Sequence, residues 1–232
     1  MKCNRISHFL VLCMIVFIGA SCTKDDGPQW AGTVTDIDDN LYRTVKICDQ
    51  IWMVENLKVT RFRNGDDIPL KQHQQWDYEG LTGEPAYCYY DDDFNNIDIY
   101  GQLYNWNAVN DSRQLAPEGW HIPTDEEWLT LINCLGGPPV AGGKMKEEGT
   151  SHWLAPNVGA TNESGFTALP GGFRNLSYNG DQSLGSFAGW WSTTQGSQED
   201  QALICKIHSG GEIAYRLVVG THGGNSVRCV KD

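Results

Sequence analysis

Asp91, Asp93 and Asn95 stand at alternating positions in an acidic run, and Asp98 follows three residues later. Oxygen ligands so spaced can gather around a hard cation, and Ca²⁺ is the cofactor they would hold. The run lacks the glycine and the closing glutamate of an EF-hand loop, so a solvated acidic turn is the simpler reading. The second chemical signature is aromatic. Trp76, Trp153, Trp190 and Trp191 lie among polar and glycine-rich residues, and an indole open to solvent can stack on the apolar face of a sugar ring. Trp153, Trp190 and Trp191 are the candidate ligand platform. Adjacent Trp190 and Trp191 on one strand point to opposite faces, so at most one of the two serves a ligand. Core packing competes for every one of these rings. His121, His152, His208 and His222 show no metal-ligand spacing. Glu126 and Glu127 could do acid–base work, yet a helix cap already accounts for Glu127. The chain holds no nucleophile elbow, phosphate-binding loop or zinc signature.

These residues need a frame, and its clearest element begins at Thr124. Thr124 and Glu127 form a capping box, and Asp125, Glu126 and Glu127 put negative charge at the positive end of the helix dipole. Trp128, Leu131, Ile132 and Leu135 follow at helical spacing and predict one apolar face. Gly136, Gly137, Pro138 and Pro139 end that helix, and residues 142–147 offer one further turn. Upstream, residues 33–36, 41–47 and 51–54 read as an antiparallel meander with Val45, Ile47 and Trp52 as core candidates. Residues 60–85 read as irregular, 86–90 as a short aromatic strand and 100–109 as a short helix. Residues 157–172 are loop-rich. Strands are expected at 189–194, 202–207, 213–219 and 226–230.

The 232 residues carry a net charge of −12, with 9 Trp, 9 Tyr and 7 Phe. Such acidity argues against a nucleic-acid partner, and the aromatic area suffices for one substantial core. Lys2 and Arg5 precede an apolar run over residues 9–18 that is too short to span a bilayer comfortably. Gly19, Ala20 and Ser21 then lead to Cys22. This pattern is an export signal over residues 1–21, and its ending resembles a bacterial lipobox with Cys22 as the acylated residue. A plain signal peptide with an incidental cysteine is the alternative. Residues 22–31 form a polar linker beginning Cys-Thr-Lys-Asp-Asp. It resembles the tract by which lipoproteins of Bacteroidetes reach the outer face of the outer membrane, although a solvated tether reads the same way. The expected partner is therefore a lipid bilayer, reached through an N-terminal acyl anchor. One domain follows, over residues 32–232.

Three ordered segments, Trp-Met-Val-Glu-Asn-Leu-Lys at 52–58, Tyr-Gly-Gln-Leu-Tyr-Asn-Trp at 100–106 and Leu-Ala-Pro-Glu-Gly-Trp-His-Ile-Pro-Thr at 115–124, resemble the Fibrobacter succinogenes major paralogous domain. So do residues 162–166, 169–172, 190–192 and 226–230. The resemblance implies a secreted or lipid-anchored protein with no general catalytic assignment. A more distant similarity to the formylglycine-generating, sulfatase-modifying group implies an α+β, C-type-lectin-like fold: twisted antiparallel sheets, two main short helices, long loops, and terminal strands that meet. Five cysteines lie beyond Cys22, an odd number for pairing within one chain. Cys88 and Cys229 fall in motifs of the resembled family, which makes them the expected disulfide. Cys134 with Cys205 is a weaker second pair. Cys48 stands where that family more often has glycine and is the expected free thiol. The functional expectation is a surface lipoprotein that binds an extracellular ligand such as a glycan, or mediates attachment. The alternatives are a structural component of a surface complex and, more remotely, an oxidase related to the sulfatase-modifying group.

Overall fold

A polar turn starts the fold. The computed structural model describes residues 27–72, 76, 83–175 and 180–232, and its first two strands, β1 (Gln29–Thr35) and β2 (Leu41–Ile47), are antiparallel. Between them the Asp36 carboxylate accepts from the backbone N–H groups of Asp38 and Asn40 at 2.8 and 3.0 Å. It also accepts a hydrogen bond from the Tyr42 hydroxyl at 2.6 Å. An aspartate that satisfies its own turn is why this short connection holds its shape. Along β2 the burial pattern changes phase at Thr44–Val45, with Tyr42 and Thr44 and then Val45 and Ile47 buried, so the core candidates Val45 and Ile47 are inward as expected. The third strand, β3 (Gln50–Met53), pairs with β2 in register from Thr44–Met53 to Ile47–Gln50.

The two ends of the domain meet in one sheet. The last strand, β12 (Val230–Lys231), lies between β3 and β6 (Trp120–His121), and the five-stranded order is β1-β2-β3-β12-β6. Just before it, the backbone N–H groups of Leu57 and Met53 donate to the carbonyls of Val227 and Cys229 at 2.8 and 3.0 Å. A second sheet is formed by β9 (Phe187–Gln195), β10 (Gln201–His208) and β11 (Tyr215–Gly220), in the order β11-β10-β9. Two small hairpins, β4 (Tyr87–Cys88) with β5 (Leu103–Tyr104) and β7 (Phe173–Asn175) with β8 (Gly180–Gln182), complete the strands. The protein is therefore α+β, mostly antiparallel sheet with few short helices.

The capped helix is α3 (Asp125–Cys134), and both halves of its capping box form. The Thr124 hydroxyl accepts from the Glu127 N–H at 3.2 Å, and the Glu127 carboxylate accepts from the Thr124 N–H at 2.8 Å. Trp128 is fully buried. Its ring lies 4.7 Å from Trp52 of β3 and 5.8 Å from Trp190 of β9, so one side chain joins the two sheets. The prolines expected to end α3 also open the next helix, α4 (Pro138–Met145). Proline lacks only an N–H that a first turn leaves unpaired anyway. Gly142 and Gly143 are close-approach residues: a Cβ on either would fall within 2.7 Å of a backbone carbonyl oxygen, that of Glu212 or of Gly159.

Residues 100–109 do not form one helix. Instead α1 (Ile97–Tyr100) stops at Gly101, whose φ of 76° ends it, β5 follows, and α2 (Trp106–Val109) starts anew. The buried Asn105 side chain organises this break: its oxygen accepts from the N–H groups of Ala86 and Ala108 at 2.9 and 3.0 Å. A side chain that bonds the neighbouring segment and caps the next turn outweighs helical spacing in a stretch this short.

Candidate functional site

The three candidate indoles are core residues. Trp153, Trp190 and Trp191 are 1 %, 0 % and 0 % exposed. As strand geometry requires, Trp190 and Trp191 face opposite sides of β9, but both sides are packed. Trp190 joins the cluster of Trp52, Trp128 and Phe166, and Trp191 the cluster of Tyr42, Met53 and Trp106. Each N–H is satisfied, by the Asn56 side chain, by the Tyr104 carbonyl and, for Trp153, by the Ala168 carbonyl. Trp76 is also buried. None of these indoles is a ligand platform.

The acidic run does not form a cation cage either. Asp93 spends a carboxylate oxygen on the N–H of Asn95, and Asp98 points outward, 3.8 Å from the Lys58 ammonium. Asp91, Asp93, Asn95 and Asp98 are all exposed. Among the described residues no three His, Cys, Asp or Glu side chains converge as metal ligands. Asp92, passed over in the spacing argument, ion-pairs with Arg174 of β7 at 2.8 Å. The loop is thus fastened to a hairpin instead of to a metal.

The cysteine pairing is also corrected. The disulfide joins Cys48 and Cys134, and not Cys88 with Cys229 or Cys134 with Cys205. Cys88 and Cys229 belong to separate core clusters, whereas Cys48 sits in the β2–β3 turn beside the end of α3. Its φ of 51° explains why glycine suits that position. Burial pushes the Cys205 thiol up to about 12 and raises Cys229 as well, which leaves both unreactive. Cys22 and the export segment lie outside the described residues. His121 bridges Glu127 and Asp232, at 2.7 Å on each side.

A cleft of about 360 Å³ lies elsewhere, on the face of the β9-β10-β11 sheet that does not meet α3. Alternation on β10 sends Cys205 and Ile207 into the core and turns Ile204 and Lys206 toward the cleft. Gly189 of β9 is the cross-strand neighbour of Lys206, and its missing side chain lets the Asn225 amide oxygen approach the sheet, 3.1 Å from where a Cβ would stand. The Lys206 ammonium sits over two phenyl rings, 4.0 Å from the Phe187 centroid and 5.3 Å from that of Phe173. Rings continue across the strands, with His208 stacked 5.7 Å from Tyr215 and 5.8 Å from Phe187. Leu217 and Val219 of β11 form the opposite wall, and Asn225 and Asp200 add polar groups. Sequence reasoning missed this site because it looked for tryptophan. The signal present was Lys206, a lone cation inside the apolar run 202–207.

A sequence model of the Fibrobacter succinogenes major domain matches residues 45–231. The chain belongs to that family. Neither a curated protein nor a solved structure matches it. In this Fibrobacter succinogenes major domain, several of the segments that carry the resemblance converge on one buried network. The Asn56 oxygen accepts from the Trp190 indole at 2.8 Å and from Arg228 Nη2 and Nε at 2.7 and 3.1 Å. The Asn56 amide donates to the Tyr100 carbonyl at 2.8 Å. Arg228 also donates to the Phe166 carbonyl and lies 4.2 Å from that ring. Burial pulls the guanidinium down to about 9. These motifs hold distant parts of the chain together, away from the cleft.

Proposed function

We propose that this protein is a lipid-anchored outer-membrane protein, exposed at the cell surface, whose C-type-lectin-like domain binds an extracellular glycan in the cleft over β9-β10-β11. The observation that carries the reading is the aromatic lining: Phe173 and Phe187 flank a concave, partly polar groove, which is the chemistry that holds a sugar ring by its apolar face. The acyl anchor at Cys22 and the tether that follows it rest on the sequence pattern, and the tether expected over residues 22–31 ends before β1, which begins at Gln29. The meeting of β3 and β12 supports the lectin-like reading of the fold. No helix of the described residues is long and apolar enough to cross a membrane. Printing the full chain and its Phe187→Ala variant against a glycan array tests the proposal. Binding that falls about ten-fold or more in the variant is expected. No signal above background for the unaltered chain would reject it.

The edge of the same sheet favours a second reading, a structural component of a surface complex. Among the described residues β11 pairs only with β10, and Leu217 and Val218 on it are 38 % and 54 % exposed. An edge strand with exposed apolar side chains is a surface that a partner protein can cover. Recovery of one stoichiometric partner after cross-linking on cells, lost when Val218 is replaced by lysine, would favour this reading over the first.

A further inference from the structure

Two polar groups in the cleft lack what they need. Lys206 makes no ion pair among the described residues: its ammonium is held only by the faces of Phe173 and Phe187. Asn225 is 6 % exposed, lines the cleft, and its side-chain amide has no hydrogen-bond partner among the described residues, although its backbone pairs with Tyr104 at both N–H and C=O. The Asn225 amide still reaches solvent and is open to a ligand hydroxyl, whereas a partly desolvated ammonium without a counter-charge is costly. Burial holds the Lys206 ammonium below the usual lysine range. The other charged groups of the cleft do not supply the missing anion. Arg174 is a cation already paired with Asp92, and the Asp200 carboxylate lies more than 4 Å from the ammonium.

We infer that the cleft is built for a carboxylate-bearing sugar, a hexuronate unit of an acidic polysaccharide, with its carboxylate on Lys206, a hydroxyl on Asn225 and its ring against Phe173 and Phe187. The inference rests on the glycan reading above and names the class of glycan. One carboxylate fits better than a dense polyanion. The chain's net charge of −12 repels a polyanion more strongly the more densely it is charged, over a Debye length of about 8–10 Å at physiological salt, so a glycan with one carboxylate per sugar is favoured over a sulfated one, while the carboxylate in contact with Lys206 is attracted locally. Charge-assisted bonds to an ammonium are the stronger kind, so removal of either charge should be felt directly.

Titration calorimetry of the full chain in detergent decides the matter with three probes: oligogalacturonate, its fully methyl-esterified form and heparin. Tight binding of oligogalacturonate, a loss of about ten-fold or more for the ester and no advantage for heparin are expected. Lys206→Met should reproduce the loss on the acidic ligand, and Lys206→Arg should restore most of it. The comparison of acid with ester uses the unaltered chain, so it stands even where a variant folds poorly. Equal binding of acid and ester would overturn the uronate assignment and leave the glycan reading intact. Stronger binding of heparin would also overturn it. Binding of no saccharide at all would overturn both.

Discussion

Asn56 shows how a small polar residue can carry a fold. It accepts three hydrogen bonds, from Trp190 and twice from Arg228, and donates one to Tyr100. The guanidinium it receives is buried with no carboxylate in contact among the described residues, so the charge is held by an amide oxygen, a carbonyl and aromatic faces. Asn56→Ala should cost about 3 kcal/mol or more, because it leaves a buried cation and an indole N–H without their acceptor. The midpoint of denaturant unfolding measures this loss. Asn56→Asp should be milder, since it keeps the acceptor and adds an opposite charge while losing only the bond to Tyr100. Lys146 works in the same way. It is fully buried, donates to the carbonyls of Val158, His208 and Gly211, and is pulled down to about 8 by burial. Residue type alone did not show these roles, because their partners lie up to 172 positions away.

At the scale of elements, α3 and its surroundings were the most legible part of the chain. Its cap is local: Thr124 and Glu127 lie within one turn, so sequence spacing and structural geometry coincide. What the sequence did not give is the extension of that cap to the C-terminal strand through His121, which contacts both Glu127 and Asp232. Burial lowers the affinity of His121 for its proton, but the hydrogen bonds to Asp232 and Glu127 outweigh it and the net shift is above the ordinary 6.5. A raised histidine stabilises the fold fully below its unfolded value and loses that contribution as pH rises through the raised one. The partner Glu127 has its proton affinity lowered: burial acts against this, and the Thr124 and His121 hydrogen bonds prevail. Its contribution is present above the ordinary carboxylate range and fades as acid protonates it. The melting temperature should therefore fall as pH rises from near 6.5 into the alkaline range, and His121→Gln should flatten that fall. A wild-type profile identical to that of the variant would contradict this account of the contact.

For the whole molecule, the decisive features are closure and crosslinking. Closure comes from β12, which inserts between β3 and β6 and so ties the domain's end to its beginning. The Cys48–Cys134 disulfide bridges 86 positions and ties the β2–β3 turn to the last turn of α3. Restricting so long a loop in the unfolded chain is worth about 2–4 kcal/mol. Reduction, or Cys134→Ser, should lower stability by that amount while leaving the cleft formed, because neither cysteine lines it. Thermal melts with and without reductant, alongside ligand titration, separate the two effects.

The sequence by itself determined the capped helix, the opening meander with Val45, Ile47 and Trp52 inward, and the family. Those rest on short-range spacing or on ordered motifs, and both are readable along a chain. Only tertiary structure decided which aromatic residues are buried, which cysteines meet and where the cleft lies. Trp190 and Trp191 look alike to solvent until both faces of β9 are covered. Cys48 meets Cys134 only once α3 packs beside the turn. Lys206 meets Phe173 and Phe187 only when β7 and β9 are brought beside it. Burial and pairing depend on distances between segments far apart in sequence, and no local pattern carries that information.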